Sequence, residues 1–272
     1  MRTALYGAII GDMVGSPYEG KLRVIKTKDF PLFGEDCHLT DDTILTVAVA
    51  EALLAAGANA TGDTMKTAVI RSMQSWGKKY LTAAFSSSFR QWIMQDDPKP
   101  FKKTTNGSAM RVSSVGCFFD TLDRTLEVAR QSAQVSHDTP EAIRGAQSVA
   151  SAIFLARNAA SKDEIKSYVT NEFGYDLSRT LDEIRPTYSP RVRCDLSVPE
   201  AIISFLESTD FEDALRNAVS LGGDSDTLAA IAGSIAEAFY GVPDEFIAEC
   251  QTRLTKEMLE VLRRFNRALN FG

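Results

Sequence analysis

The sequence is poor in the residues that most often bind transition metals. Its 272 residues include only two histidines, His38 and His137, and four cysteines. The cysteines lie far apart and form no Cys-x-x-Cys pair, so neither a zinc site nor a disulfide framework is predicted, and a reducing cytosol is the expected environment. Two histidines are too few for a histidine-rich zinc or iron site. Any metal in this protein must therefore be held mainly by oxygen atoms.

The chain also has no excess of basic residues and no long apolar segment. Its formal net charge is −6, which argues against nonspecific binding to nucleic-acid phosphates or anionic membranes. No apolar stretch approaches the roughly 20 residues that a membrane-spanning helix needs, and the apolar run before Asp12 is too short for a signal peptide. We therefore expect a cytoplasmic protein, a monomer, that binds neither membranes nor nucleic acid.

Strand-like alternation of polar and apolar residues is nearly absent, whereas helical periodicity recurs along the chain. It predicts helices over residues 43–54, 140–158, 198–207, 210–220, 227–238 and 244–269. The last of these carries alternating charges, which is typical of a surface helix, and residues 176–196 are predicted to form a long connection. No low-complexity linker or fixed repeat divides the chain. The prediction is an all-α fold with a single compact multi-helix domain over residues 1–272.

Two acidic segments stand at the N-terminal ends of apolar helical patterns, TDDT at residues 40–43 and GGDSDT at residues 222–227. Four carboxylates brought together would repel each other, and hard oxygen ligands suit Mg²⁺ or Mn²⁺, one ion or a pair. The alternative is that both segments only cap their helices. Asp224 and Asp226 would point about 200° apart on a regular helix. One shared site therefore requires irregular backbone, which the two glycines permit.

Two other metal motifs fail on spacing. An EF-hand loop counted from Asp224 would need a glycine at position six and a glutamate at position twelve, where the chain has Ala229 and Ile235. A DDxxD motif counted from Asp41 would need a third aspartate where Leu45 stands. Neither class of site is supported.

Several short motifs resemble those of the ADP-ribosylglycohydrolase family. They are GAIIGDMVGSPYE (7–19), TDDT (40–43), NGSAMR (106–111), SH (136–137) and LGGDSDTLAAIAGSIAEAFYG (221–241), and they occur in the family's order over almost the whole chain. The resemblance extends to the dinitrogenase-reductase-activating glycohydrolases. It implies an all-α fold, a binuclear Mg²⁺ or Mn²⁺ centre, and hydrolysis of the N- or O-glycosidic bond that links ADP-ribose to an acceptor.

The resemblance also implies roles for individual residues. The implied ligands of the two divalent cations are Thr40, Asp41, Asp42, Asp224, Asp226 and Thr227. The implied catalytic residues are Glu19, which would gate the site or assist proton transfer, and Asp41, Asp42 and Asp226, any of which could take the proton of a water molecule. The implied substrate-binding residues are Asn106, Gly107, Ser108, Met110, His137 and Gly223. Backbone N–H groups of the NGSAMR turn would suit the phosphates of ADP-ribose.

Simpler roles remain open for four of these positions. Asn106 or Ser108 could merely cap a helix, and His137 could cap the helix that begins near Pro140. Glu19 could pair with Lys21 or with a second basic neighbour, Arg23. Each alternative would remove that side chain from direct contact with a substrate.

Two departures from the family's pattern concern the acceptor. Thr139 stands where many bacterial members have a second histidine, and residues 84–90 are serine-rich where the family is rich in aromatic residues and glycine. Both lie on the substrate side of the motifs. Arginine-linked ADP-ribose on a protein is the expected substrate, because a guanidinium suits an acidic cleft. Serine- or acetyl-linked ADP-ribose, a related nucleoside-diphosphate ribose, and binding of ADP-ribose without turnover are the alternatives.

Overall fold

The computed structural model describes residues 3–20 and 23–269 of the chain. Over those residues the regular structure is helical, and the only bridge pairings recorded are isolated ones, Phe101 with His137 and Thr105 with Arg193. The α-helices in the described ranges are α1 (Tyr6–Gly15), α2 (Asp41–Ala56), α3 (Gly62–Lys79), α4 (Ser87–Trp92), α5 (Ser113–Phe118), α6 (Leu122–Gln134), α7 (Pro140–Arg157), α8 (Lys162–Phe173), α9 (Leu181–Ile184), α10 (Cys194–Leu206), α11 (Phe211–Ser220), α12 (Ser225–Tyr240), α13 (Asp244–Arg253) and α14 (Lys256–Ala268). The all-α prediction is confirmed.

Side-chain caps begin most of the long helices where the sequence pattern places them. The hydroxyl of Thr139 accepts a hydrogen bond from the backbone N–H of Ala142 at the start of α7, and Pro140 occupies the first helical position. Asp210 caps α11 in the same way by accepting from the N–H of Asp213. Capping side chains satisfy N–H groups that the first turn of a helix leaves without a partner.

Three predicted segments differ from the structure by more than two residues. Residues 244–269 form α13 and α14 rather than one helix, because Leu254 is extended and Thr255 caps a new helix. One face of α14 is buried through Met258, Leu262 and others, so α14 is not simply a surface helix. The predicted connection over residues 176–196 contains the short helix α9, and α10 begins before the predicted residue 198.

Helices α1 and α12 lie in direct main-chain contact. A Cβ atom added to Gly7, Gly11 or Gly15 would lie well under 3.0 Å from backbone atoms of α12. Only glycine allows two backbones to approach so closely. This contact places the C-terminal end of α1, and the segment that follows it, beside the N-terminal end of α12.

Two helices of the core are buried almost all round at their N-terminal ends. In α2 the residues from 42 to 50 are buried, and in α12 those from 225 to 237 are buried. The ends that carry the TDDT and GGDSDT segments meet at one pocket. In the described part of the chain, the helices are all too short or too polar to cross a membrane.

Candidate active site

A pocket of about 210 Å³ lies where the N-terminal ends of α2 and α12 converge. Five carboxylates form one wall of it: Glu19, Asp41, Asp42, Asp224 and Asp226. One oxygen from each of Glu19, Asp224 and Asp226 lies within 4.8 Å of the other two. The fold therefore brings together acidic residues that are more than 180 positions apart in sequence.

Local backbone geometry explains how the second acidic segment serves one site. Asp224 precedes α12 with a non-helical backbone, φ −81° and ψ 73°, so it and Asp226 do not diverge as they would within a regular helix. Gly222 supplies the required turn with φ +65°, in the left-handed region that favours glycine. Asp226 accepts a hydrogen bond of 2.9 Å from the backbone N–H of Thr227, and a helix N-terminus favours negative charge.

The carboxylate wall is electrostatically unfavourable on its own. Burial and then the neighbouring carboxylates raise the pKa of Asp41 to about 7, and burial raises the pKa of Asp224 to about 6. The pKa values of Asp42 and Asp226 are raised well above the ordinary range by the same two causes. Among the described residues, the buried Oδ2 atom of Asp42 has no hydrogen-bond partner. An oxygen-only donor set with an unpartnered buried oxygen fits a hard divalent cation.

Asp12 supports this wall from behind, and sequence reasoning missed it. It is fully buried in α1 and accepts hydrogen bonds from the backbone N–H groups of Thr40 (3.0 Å) and Thr43 (3.1 Å) and from both threonine hydroxyls. These contacts fix the turn that presents Asp41 and Asp42. Burial raises the pKa of Asp12 in spite of its hydrogen bonds. Its signal in the sequence is a lone acidic residue within an apolar helix, which is rarely buried without a purpose.

The opposite wall of the pocket is polar and basic. Lys103, Thr105, Asn106, Gly107 and Arg111 line it, together with His137 and Met110. Asn106 joins the two walls, because its Nδ2 atom donates to Asp224 Oδ2 at 2.7 Å. The sequence indicated Asn106, Gly107, Met110 and His137 but not the two basic residues or Thr105.

Arg111 and His137 belong to this wall although both side chains are buried. The guanidinium of Arg111 donates to the Gly107 carbonyl, and its Nη2 atom donates to Ser132 O at 2.9 Å and to Ser136 Oγ at 2.8 Å. Burial lowers the pKa of Arg111 to about 9. Burial also holds the pKa of His137 well below its ordinary value, with the positive charges of Arg111 and Lys103 adding to the effect. The imidazole is therefore neutral at physiological pH.

Three residues of the predicted site do not line the pocket. Thr40 has its hydroxyl engaged with Asp12 and with the N–H of Asp42. Ser108 is fully buried and donates to the carbonyl of Ala142 at 2.9 Å. Gly223 lies against the ring of Tyr188, where a Cβ atom would clash.

The simpler alternatives also have a structural outcome. The cap of α7 is Thr139 and not His137. Among the described residues no basic nitrogen forms an ion pair with Glu19, and Lys21 lies outside the described residues. The serine-rich segment reaches the pocket, since Ala84, Ser86 and Phe89 line it.

Comparison with known proteins identifies the family of the chain. The family described as ADP-ribosylglycohydrolase matches residues 1–270, and the chain belongs to this family. It is 27% identical to ADP-ribosylhydrolase ARH3 of Homo sapiens, over 92% of this chain and 88% of that one. It is 24% identical to ADP-ribosylarginine hydrolase Tri1 of Pseudomonas putida (strain GB-1), over 90% of this chain and 72% of that one.

The fold has a counterpart among solved structures. A chain of an ADP-ribosylglycohydrolase-related protein complex superposes with a TM-score of 0.74 and 22% identity, covering 98% of this chain and 96% of that chain. The all-α architecture described above is therefore that of the ADP-ribosylglycohydrolases.

Proposed function

We propose that the protein hydrolyses the glycosidic bond between ADP-ribose and an acceptor, in a metal-dependent reaction, and that the acceptor is an arginine on a protein. The observation that carries this proposal is that the pocket is lined by acidic side chains together with basic and neutral polar ones. Five carboxylates face a wall that holds Lys103, Thr105 and Asn106. Such a site suits a ligand with a sugar diol at one end and phosphates at the other. Family membership over residues 1–270 supports the reaction class and a single domain.

The acidic wall is the proposed metal centre, with two divalent cations, Mg²⁺ or Mn²⁺. Asp41, Asp42, Asp224, Asp226 and Thr227 line the pocket and are the proposed ligands, with Thr40 beside them at the start of α2. When bound, the cations would lower the pKa of a water molecule and orient it. The unpartnered oxygen of Asp42 supports this assignment. Among the described residues, none of the five carboxylates forms an ion pair with a basic side chain, which supports it as well.

The side chains around the reacting centre have distinct proposed tasks. The transition state of glycoside hydrolysis carries positive charge on the sugar, which nearby carboxylates stabilise. Asp41, Asp42 and Asp226 are the three candidates to accept the proton of the attacking water. Glu19 stands at the mouth of the pocket, and partial burial raises its pKa. A carboxyl group with a raised pKa can hold a proton and assist departure of the acceptor.

The proposed substrate contacts lie on the polar wall. Asn106, Gly107 and Met110 line the pocket and would contact ADP-ribose directly. His137 also lines it, and because both ring nitrogens are hydrogen-bonded, to Ser136 and Thr105, it would take part in substrate binding through these partners. Ser108 and Gly223 would act through the shape of the wall, because their own atoms are turned to Ala142 and Tyr188. A Cβ atom on Gly107 would lie 3.1 Å from the His137 ring, so this glycine also sets the position of the imidazole.

An arginine acceptor is supported by the charge at the mouth of the pocket. Among the described residues Glu19 has no ion-pair partner, and a guanidinium leaving group would supply one. A relative of 24% identity bears the name ADP-ribosylarginine hydrolase. Serine- or acetyl-linked ADP-ribose is the second candidate. Its support is that Ser86, from the serine-rich segment that departs from the family's pattern, lines the pocket.

The deciding experiment is a parallel turnover assay on arginine-, serine- and acetyl-linked ADP-ribose with Mg²⁺ or Mn²⁺. We expect fastest release of ADP-ribose from the arginine-linked substrate and loss of turnover with a chelator, restored by adding the cation. Faster cleavage of the serine-linked substrate would overturn the acceptor while keeping the reaction class. Tight binding of ADP-ribose with no turnover on any of the three would refute the hydrolase proposal.

A further inference from the structure

A continuous chain of hydrogen bonds runs behind the polar wall and ends at the pocket. Arg111 Nη2 lies 2.8 Å from Ser136 Oγ, Ser136 Oγ lies 2.9 Å from His137 Nδ1, and His137 Nε2 lies 3.0 Å from Thr105 Oγ1. Arg111 and Ser136 are fully buried and His137 is nearly so, whereas Thr105 is half-buried and lines the pocket. Arg111 and His137 also line the pocket, and Thr105 is the most exposed of the four residues, so its hydroxyl is the member of the chain most open to a ligand.

The direction of these hydrogen bonds follows from their first member. A guanidinium can only donate, so the Ser136 oxygen accepts from Arg111. The hydrogen of the Ser136 hydroxyl then needs an acceptor, and in the described structure His137 Nδ1 is the partner available to it. A buried hydroxyl hydrogen left without an acceptor is unfavourable. Nδ1 therefore accepts, and the ring proton lies on Nε2.

The far end of the chain is fixed by the same reasoning. Because the imidazole is neutral, Nε2 carries its single proton and donates it to Thr105 Oγ1. The Thr105 oxygen already accepts from His137, and no acceptor for its own hydrogen occurs among the described residues. That hydrogen is thus left to point at whatever occupies the pocket.

A charged donor lines the same pocket as this hydroxyl. Lys103 also lines the pocket, where its Nζ atom donates to Ser88 Oγ at 2.6 Å and lies 5.9 Å from the centre of the Phe101 ring. Lys103 is exposed, unlike Arg111, which is buried and donates through Nη1 and Nη2 to backbone and serine oxygens. An ammonium and a directed hydroxyl on one wall form a donor pair for an anion.

We propose that Lys103 and the Thr105 hydroxyl bind a phosphate oxygen of the nucleoside-diphosphate ligand, and that Arg111, Ser136 and His137 are positioning residues that fix the direction of the Thr105 hydroxyl. This rests on the proposed function and deepens it, because it names side chains that recognise the anionic part of the substrate. The hydroxyl of Ser108 is already donated to a backbone carbonyl, so it does not compete for this role.

The binding test compares Thr105→Val, which removes the hydroxyl at nearly constant shape, with Thr105→Ser, which keeps it. The Kd for ADP-ribose is measured by calorimetry with Mg²⁺ present. We expect about ten-fold weaker binding for the valine variant and recovery for the serine variant. Lys103→Met is expected to weaken binding and to reduce its dependence on salt. Thr104→Val is the matched control, because Thr104 does not line the pocket, and its Kd should equal that of the wild type.

The positioning role has a spectroscopic readout of its own. The chain has only two histidines, so ¹⁵N-labelled histidine with a His38→Asn variant for assignment isolates His137. We expect a neutral ring with its proton on Nε2 at neutral pH. In Ser136→Ala we expect the tautomer preference to weaken and ADP-ribose affinity to fall while the Mg²⁺-dependent stability of the fold is kept.

The outcomes separate this proposal from the one on which it rests. A wild-type protein that does not bind ADP-ribose in the presence of Mg²⁺ contradicts the proposed function. If the wild type binds ADP-ribose and both Thr105→Val and Lys103→Met bind it with the same Kd, the phosphate contact is overturned and the proposed function stands. A proton on Nδ1, or a doubly protonated ring, overturns the positioning role.

Discussion

The main-chain contact between α1 and α12 leads to a prediction for Gly11→Ala. A Cβ atom at position 11 would lie well under 3.0 Å from the carbonyl of Ala229 and the adjoining peptide. Those atoms belong to a helix backbone that is buried on all sides at that level. They cannot turn aside as a flexible side chain could, so α1 and α12 must separate.

The size of the effect follows from two opposing contributions. In an unconstrained helix, alanine is favoured over glycine by about 1 kcal/mol. Forcing an extra methyl group into a close-packed interior costs about 1–3 kcal/mol, and more where rigid backbone must move. Because backbone must move here, the cost lies at about 3–4 kcal/mol, and we expect a net loss of about 2–3 kcal/mol in the free energy of unfolding. With an unfolding entropy of about 2.1 cal/mol/K per residue, this loss lowers Tm by roughly 3–5 °C for a chain of this length. The separation should also move Glu19 away from Asp224 and Asp226.

The assay combines thermal unfolding with a titration of Mg²⁺. Gly11→Ala should lower Tm and also reduce the additional stabilisation that Mg²⁺ confers. Gly77→Ala is the matched helical control, because its Cβ would meet only side-chain atoms of Ile93; it should leave the Mg²⁺ response intact. Gly34 has open space around it, so Gly34→Ala should change Tm little. An unchanged Tm and Mg²⁺ response in Gly11→Ala would refute the close contact and its role in placing the metal site.

Three further predictions concern buried or clustered carboxylates. In the presence of a chelator, Asp226→Asn should raise Tm, because it removes one of the repelling charges. It should also abolish the stabilisation by Mg²⁺, which is about 2.7 kcal/mol for a competent site at a Mg²⁺ concentration of 100 Kd. If Mg²⁺ stabilises the variant as it does the wild type, the metal binds elsewhere. Glu19→Gln should lower kcat by a larger factor than it lowers the affinity for ADP-ribose. If kcat and the affinity measured by calorimetry fall by the same factor, Glu19 has no specific role in the transition state. Burial raises the pKa of Glu237 to about 7, so folding favours its protonated form. The contribution of this proton to the free energy of unfolding is present at pH 4.5 and is lost as the pH rises through 7. Urea unfolding should therefore show a smaller fall of stability between pH 4.5 and 8 in Glu237→Gln, by up to about 3 kcal/mol, and parallel curves for the two proteins would disprove this.

The acidic half of the site was accessible to sequence reasoning because its signal is local. Asp41, Asp42, Asp224 and Asp226 each sit at the start of an apolar helical pattern, and two glycines precede the second pair. That arrangement predicts helix N-termini with clustered charge, which the structure contains. Asp12 gave no comparable signal, since its partners are two threonines about thirty positions away.

The polar half depends on geometry that a sequence pattern does not contain. Lys103 and Thr105 lie in irregular chain before the NGSAMR turn, where no periodicity shows which way a side chain points. For the same reason Ser108 looked like a contact residue although it is turned toward Ala142. The break at Leu254 has no glycine or proline to announce it, and only Thr255, a residue type common at helix starts, indicates a new helix.

The hydrogen bond from Asn106 to Asp224 has a thermodynamic consequence. One end of it belongs to the wall proposed for phosphate, and the other belongs to the proposed metal centre. If a ligand bound at one end strengthens or weakens this hydrogen bond, it changes the free energy with which a ligand binds at the other end. Such coupling is reciprocal, so any factor by which the cation increases affinity for ADP-ribose is the factor by which ADP-ribose increases affinity for the cation. At limiting cation concentration, ADP-ribose would then help to recruit the cation of the proposed metal centre.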